Sequence, residues 1–266
     1  MNVIPLSPFD LSLAASLIVL LAFLSFRQKL QLEKPLLIAA FRTTVQLSLI
    51  GLILNVVFTT SNVALVMFIW LVMLLAAGNE VMARQKIKLK GSGRFFVGTS
   101  SMFLSSFTIM VLTLTVIIRV EPWYEPRYAI PILGMLLGNT MNGVALAMNT
   151  FTNFAWSKRA QIEQRLAMGQ QASEAIEDIW RDSVKTGLIP MINSMAAAGL
   201  VSLPGMMTGQ ILAGNTAGDA VKYQILIMFM ISAGTGFGVM LSLWLTKRKM
   251  FDSRQRLRLT DSFTVK

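Results

Sequence analysis

Seven stretches of this chain carry scarcely a charged residue: roughly Phe9–Phe26, Pro35–Phe58, Asn62–Gly78, Phe95–Ile118, Tyr128–Phe151, Thr186–Leu212 and Val221–Thr246. A hydrocarbon core of about 30 Å takes about 20 apolar residues of helix. Inside it every backbone polar group must be satisfied within the chain, so a lone apolar stretch that crosses must be helical. With 54% hydrophobic and 14% charged residues, the chain also lacks the polar surface of a soluble globule, in which about a quarter of residues are charged. The sequence predicts an all-α, polytopic membrane protein of seven transmembrane helices, one transmembrane domain over residues 1–266. The first stretch reads as a span and not as a cleavable signal peptide. No basic region precedes it, Asp10 is the only charge near its start, and the positive flank, Arg27 and Lys29, follows it.

The charges test that count. The formal net charge is +11, from 24 Lys and Arg against 13 Asp and Glu. The basic residues gather in alternate segments. The first holds Arg27, Lys29 and Lys34; the second Arg84, Lys86, Lys88, Lys90 and Arg94; the third Lys158, Arg159, Arg165, Arg181 and Lys185; and the tail has seven, from Lys247 to Lys266. Positive segments stay on the cytoplasmic side, which predicts the N-terminus outside and the C-terminus in the cytoplasm. So distributed, the excess orients the chain and meets anionic lipid headgroups. Nucleic acid is not the expected partner.

The absent residues exclude whole classes of chemistry. Without Cys or His there is no disulfide, no thiolate or imidazole metal site, no Ser-His or Cys-His nucleophile pair and no imidazole relay. No Asp or Glu lies mid-span, which removes intramembrane aspartyl proteases and carboxylate-driven proton coupling. No G-x-x-x-x-G-K-[ST] occurs, so the chain has no P-loop with which to hydrolyse ATP. It is not expected to be an enzyme. The one intramembrane charge is Arg42, which shares a helix face with Gln46 at i, i+4. It either snorkels toward Lys34, about 12 Å away along a helix, or faces a polar path.

Two stretches break helical regularity. Gly134–Met141 combines a GxxxG with Asn139, and Asn142 follows. Ser202–Gly209 sets Pro204-Gly205 ahead of a second GxxxG, and Pro204 predicts a kink or unwound step there. Close helix packing is the first reading of each GxxxG. A substrate-lining role for Asn139, Asn142 and Asn193 is the alternative. The 18 methionines are expected to fill packing gaps rather than to ligate a soft metal.

The sizeable soluble element is cytoplasmic, over about 153–185. Ile162, Leu166, Ile176, Ile179 and Trp180 recur at helical steps among charged residues, and Gly169 marks a break between two helices. Two readings are open, a protein-docking knob and a helix lying on the membrane. The acidic residues interspersed among the basic ones favour docking. Glu163 precedes Gly169 by six and Ile179 follows it by ten, which resembles the coupling loop of importer-type ABC permeases (EAA-x3-G-x9-I-x-LP). Gln164-Arg165 here replace Ala-Ala, and Arg181-Asp182 replace Leu-Pro.

Beyond that loop, GMLLGNTMNG at 134–143, SLPGMMTGQILAG at 202–214, DAVKYQI at 219–225, IEDIWRDSVKTGLIP at 176–190 and the Arg42/Gln46 pair resemble FetB-type permeases, the membrane subunits of an ABC system linked to bacterial iron export. The resemblance runs nearly the whole chain. It implies a homodimeric permease in the cell membrane that binds no cofactor itself and takes its energy from ATP on a FetA-like ATP-binding subunit. Glu163, Gly169, Glu177, Ile179 and Trp180 would form the ATPase-coupling contact. Arg42, Gln46, Asn139, Asn142 and Asn193 would line the path, with Pro204 and Gly205 as its hinge. Plant relatives are associated with aluminium tolerance and nucleotide-sugar transport, so a non-metal solute such as a nucleotide-sugar or a lipid is an alternative cargo. A scaffold or regulatory subunit that moves nothing is the alternative role. Iron sits uneasily with the residues, because Fe²⁺ and Fe³⁺ favour carboxylate and imidazole ligands that the spans lack.

Overall fold

The computed structural model describes residues 5–60, 62–91 and 93–265. The helices are α1 (Pro8–Arg27), α2 (Glu33–Thr60), α3 (Val63–Ala83), α4 (Gly93–Met102), α5 (Thr108–Leu112), α6 (Pro126–Ser157), α7 (Arg159–Ala167), α8 (Ala172–Ala175), α9 (Glu177–Ala197), α10 (Gly205–Leu212), α11 (Ala217–Met250) and α12 (Leu259–Ser262). Two three-residue strands, β1 (Ile87–Leu89) and β2 (Phe263–Val265), pair antiparallel with Lys88 opposite Thr264. Otherwise the described chain is helix and turn, with isolated bridges between Ala198 and Ser202 and between Phe251 and Leu257.

Contacts divide the chain into two compact units. One runs to Asn62 and takes in 212–214, and the other holds the remainder. In the first, α1 and α2 form a hairpin, reversed through Lys29 (φ 56°) and Gln31 (φ 59°). The buried Ser25 hydroxyl accepts from the Leu32 N–H at 3.1 Å and so fixes that turn. The capping box of α1 pairs Ser7 with Asp10, whose carboxylate accepts from the Ser7 N–H at 2.8 Å.

The second unit is built around α6, which packs on α3, α9 and α11. Its inward face, including Leu133, Leu136, Leu137, Val144, Met148 and Phe151, is buried. Small residues set the crossings. A Cβ on Gly143 would stand 2.6 Å from Thr235 Cγ2 and 2.9 Å from the Gly187 carbonyl, so α6, α9 and α11 meet there almost backbone to backbone. Gly234 abuts Leu136, and Gly238 abuts Thr140 and Val144. These two steps advance together, so α6 and α11 run parallel. Gly78 and Gly98 make the equivalent close approach between α3 and α4.

Among the described residues six segments are long and apolar enough to cross a membrane: α1, α2, α3, the stretch Phe95–Ile117, α6 and α11. The expected span over 186–212 is not a single helix. The chain leaves α9 at Ala197, turns through Gly199 (φ +83°) and resumes as α10 at Gly205. Pro204 lacks the N–H that a continuing helix needs and disfavours helical geometry in the residue before it. The 95–117 segment carries two wider π turns, Phe103–Phe107 and Thr113–Ile117, where the Ile118 N–H reaches back to the Thr113 carbonyl at 2.9 Å. Ser101, Ser105 and Thr113, buried in this segment, return their hydroxyls to carbonyls one turn earlier.

The GxxxG motifs do not make the close contacts. Gly134 meets one methionine tip at 3.4 Å, and Gly138, Gly205 and Gly209 meet no described atom within 4 Å. Spacing alone cannot show which helix face a neighbour covers. The glycines that do pack (78, 98, 143, 187, 234 and 238) are chosen by where the helices cross.

Candidate functional site

The segment after α6 folds as a locked elbow. α7 ends in a Schellman turn: Gly169 N–H bonds the Leu166 carbonyl at 3.0 Å and Gln170 N–H the Arg165 carbonyl at 3.1 Å. Gly169 itself takes φ +89°, open to glycine without strain. The chain then restarts at Gln171, whose N–H bonds the Glu174 carboxylate at 3.1 Å. Across the elbow the Arg165 guanidinium grips Asp178 through two bonds, 2.9 and 3.2 Å, and also donates to the Ala175 carbonyl at 3.0 Å. That grip holds the Asp178 carboxyl below the usual carboxylate range, helped by backbone bonding at the start of α9. Ile162, Ala175, Ile176 and Ile179 are buried beneath it. The apolar side of the elbow therefore packs on protein.

Of the expected coupling residues, Glu163, Gly169 and Glu177 lie on the surface. Glu177 pairs with Arg181 one turn on. Ile179 is core, and Trp180 is half-buried beside a groove it shares with Phe237 and Trp244. Three cation–π pairs stand near the elbow end of the long helices: Lys158 on Phe154, Arg159 on Trp156, and Arg248 at 3.7 Å from the Trp244 ring centre. Aromatic and basic side chains of this kind anchor helices at a membrane interface.

The tail completes this end. β2 adds to β1, the Lys90 Nζ donates to the Thr260 carbonyl at 2.8 Å, and the Ala172 N–H donates to the Gln255 side chain at 2.8 Å. Asp252 shapes the intervening turn by accepting from the N–H groups of Arg254 and Arg256. A polar groove of about 590 Å³ separates elbow from tail, bordered by Glu163, Gln170, Arg254 and Arg256. Sequence reasoning missed the tail. Its signal is the short apolar–polar–apolar pattern in Ile87-Lys88-Leu89 and Phe263-Thr264-Val265.

The expected path residues fall in both units. Arg42 and Gln46 lie exposed on α2 in the first. In the second, Asn139, Asn142, Asn149 and Asn153 follow one another at three, seven and four residues along α6, which puts them on one face. Asn139 bonds its own helix at the Met135 carbonyl. Asn142 accepts from Arg84 at 2.9 Å, while Arg84 also pairs with Glu80. Asn149 accepts from the Lys86 N–H at 3.3 Å. Asn193 is exposed on α9. Pro204 accepts from the Thr208 N–H at the start of α10, and Gly205 stands in open space. The structure thus adds Arg84 to the polar side chains of the α6 face. No sequence pattern linked it to Asn142, 58 positions away.

Residues 8–251 match the uncharacterised protein family UPF0014. The chain belongs to this family. It is 33% identical over 258 residues to a protein of Escherichia coli named Probable iron export permease protein FetB, covering 94% of this chain and 95% of that one. It is 37% identical over 230 residues to a UPF0014 membrane protein of Synechocystis, covering 86% and 88%. It is 34% identical over 224 residues to the protein ALUMINUM SENSITIVE 3 of Arabidopsis thaliana, covering 84% and 80%. No solved structure matches. With relatives named as membrane proteins and six helices of spanning length, this UPF0014 chain is a multi-pass membrane protein. Its relatives are named as permease and membrane proteins.

Proposed function

We propose that the chain is the membrane subunit of an ATP-driven ABC exporter, acting as a homodimer with two copies of a FetA-like ATP-binding subunit. The observation that carries this is the elbow. It is a rigid, charge-clasped turn continuous with α6 on one side and α9 on the other, so force applied to it reaches the helices that meet at Gly143 and Gly187. Glu163, Gly169 and Glu177 would touch the partner directly, with Ile179 and Trp180 seating the elbow on the bundle.

The reading includes seven crossings with the N-terminus outside and the C-terminus cytoplasmic. α9 has 21 residues and spans about 31 Å at 1.5 Å per residue, enough to cross although its first turns are charged. The basic and aromatic cluster at the elbow end of α6 and α11 agrees with a cytoplasmic interface there. Arg42, Gln46, Asn139, Asn142 and Asn193 are the path residues of this reading, and the 198–204 turn with Pro204 and Gly205 is its hinge. Iron is the proposed cargo, by kinship with a protein named for iron export. With no His or Cys, and no mid-span carboxylate, iron would pass weakly held by amide, hydroxyl and thioether groups, or within a complex.

Reconstitution with the ATP-binding subunit in liposomes tests this. ATP-dependent substrate flux is expected, and the pair Glu163→Lys and Glu177→Lys should lower ATPase stimulation severalfold. Unchanged stimulation would remove the elbow from coupling, and hydrolysis without flux would make the chain a scaffold. Equal iron content in overloaded cells with and without the protein would remove iron.

A further inference from the structure

Far from the elbow, near the N-terminal ends of α6 and α11, lies a cavity of about 390 Å³, within the range of small-molecule sites. α10 closes one side of it, and the second π turn of the 95–117 segment closes another. Six polar side chains border it: Thr113, whose hydroxyl returns to the Ile109 carbonyl, and Arg127, Tyr128, Gln210, Asn215 and Tyr223. None of the latter five makes a side-chain hydrogen bond or ion pair among the described residues, although 13 Asp and Glu are available in the chain. Among the described residues the lining contains no carboxylate. The remaining wall is apolar or soft, with Met135, Met206 and Met230 among it.

We propose that this cavity binds a small solute through a carboxylate or phosphate group, with Arg127 as its counter-charge. The guanidinium offers a planar fork of donors matched to such oxyanions, and the two phenols and two amides supply further hydrogen bonds. The thioethers face the ligand's apolar or soft part. A bare di- or trivalent cation meets the opposite chemistry, one positive charge and no anionic ligand. The assignment rests on the transport reading for its physiological meaning: the cargo, or the form in which a metal travels, is anionic.

The absence of cysteine gives a direct test that needs no ATP-binding subunit. Gln210→Cys places one thiol in the cavity, and Leu200→Cys, at a residue 91% exposed, is the reference. Each is reconstituted in phosphatidylcholine nanodiscs and labelled with anionic ethylsulfonate or cationic ethyltrimethylammonium methanethiosulfonate. The anionic-to-cationic rate ratio at position 210 is expected to exceed the reference by at least about fivefold, as focused charge in a cleft raises on-rates tenfold or more. Arg127→Gln should abolish the excess and Arg127→Lys should keep most of it. Inorganic phosphate or citrate should slow labelling if the ligand is a soluble solute. Slowing by added phosphatidylglycerol alone would identify a lipid headgroup as the source of the same anionic group. A ratio equal to the reference, a ratio untouched by Arg127→Gln, or no slowing by any of these anions would overturn the proposal. Loss of ATP-driven flux, measured separately, bears on the transport reading and leaves this result readable.

Discussion

Replacing Gly187 by alanine should destabilise the protein, and the structure gives the size of the effect. The new Cβ would stand 2.7 Å from the Ala147 Cβ, 2.9 Å from the Gly143 carbonyl oxygen and 3.2 Å from Val239 Cγ2. Comfortable contacts of this kind lie near 3.5–4.0 Å, so α9 and α6 would have to part by about 1 Å. Two of the three obstacles are backbone or a backbone-fixed methyl, and neither can rotate away. Overpacking of a tight crossing costs about 1–3 kcal/mol. At about 2–4 °C per kcal/mol for chains of this general size, Tm should fall by roughly 4–8 °C for a mid-range loss. Gly138→Ala is the matched control, on the same α6 but with no described atom within 4 Å. It should shift Tm by less than about 1 °C, and its better helix propensity pulls the other way. Intrinsic tryptophan fluorescence of the detergent-purified protein reads both. If Gly187→Ala melts with Gly138→Ala, the backbone-to-backbone crossing is not what holds α6, α9 and α11 together.

Asp178→Asn should cost no more than about 1 kcal/mol at neutral pH, because both partners of the clasp are partly exposed (25% and 44%). The Asp178 carboxyl is held below its unfolded value of about 3.9, so its contribution is present above that pH and is lost as pH falls through the lower folded value. The difference in Tm between Asp178→Asn and the native chain should therefore shrink as pH falls through the lowered folded value, and a difference constant with pH would refute the assignment. Gln255→Ala should loosen the elbow without unfolding the bundle, seen as faster amide exchange at Ala172 with an unchanged Tm; an unchanged exchange rate would show the tail contact to be idle. Arg84→Ala should free Asn142 and leave Glu80 without this partner, with a loss under about 1 kcal/mol by thermal melt since the pair is partly exposed.

Much of this was legible because membrane spans write themselves in composition. Six apolar stretches became helices where the charge gaps placed them, and Gly169 ended α7 as expected of a glycine just past a helix terminus. In the sixth stretch in chain order the apolar character continues through Gly199 and Pro204 while the helix breaks there, as Pro204 leads one to expect. Hydropathy reports where a segment is at home, not whether its hydrogen bonds are continuous. The elbow's position was readable from Glu163, Gly169 and Ile179. Its lock, Arg165 to Asp178, is a tertiary contact whose partners lie 13 residues apart, beyond any helical spacing rule. The tail ladder joins residues some 175 positions apart through strands of three residues, too short for periodicity to declare them.

That ladder divides the elbow end of the second unit mechanically. β1 lies between α3 and α4, and β2 follows α11 through α12, so the ends of these three helices are stitched into one bracket by backbone bonds. The elbow is not sewn into it. Among the described residues, one hydrogen bond, Ala172 to Gln255, links elbow to tail across an open groove. A pull on the elbow would break that single stitch long before it bent the bracket. Motion of the elbow would reach α6 and α9 first, and α3 and α11 only through their packing on α6.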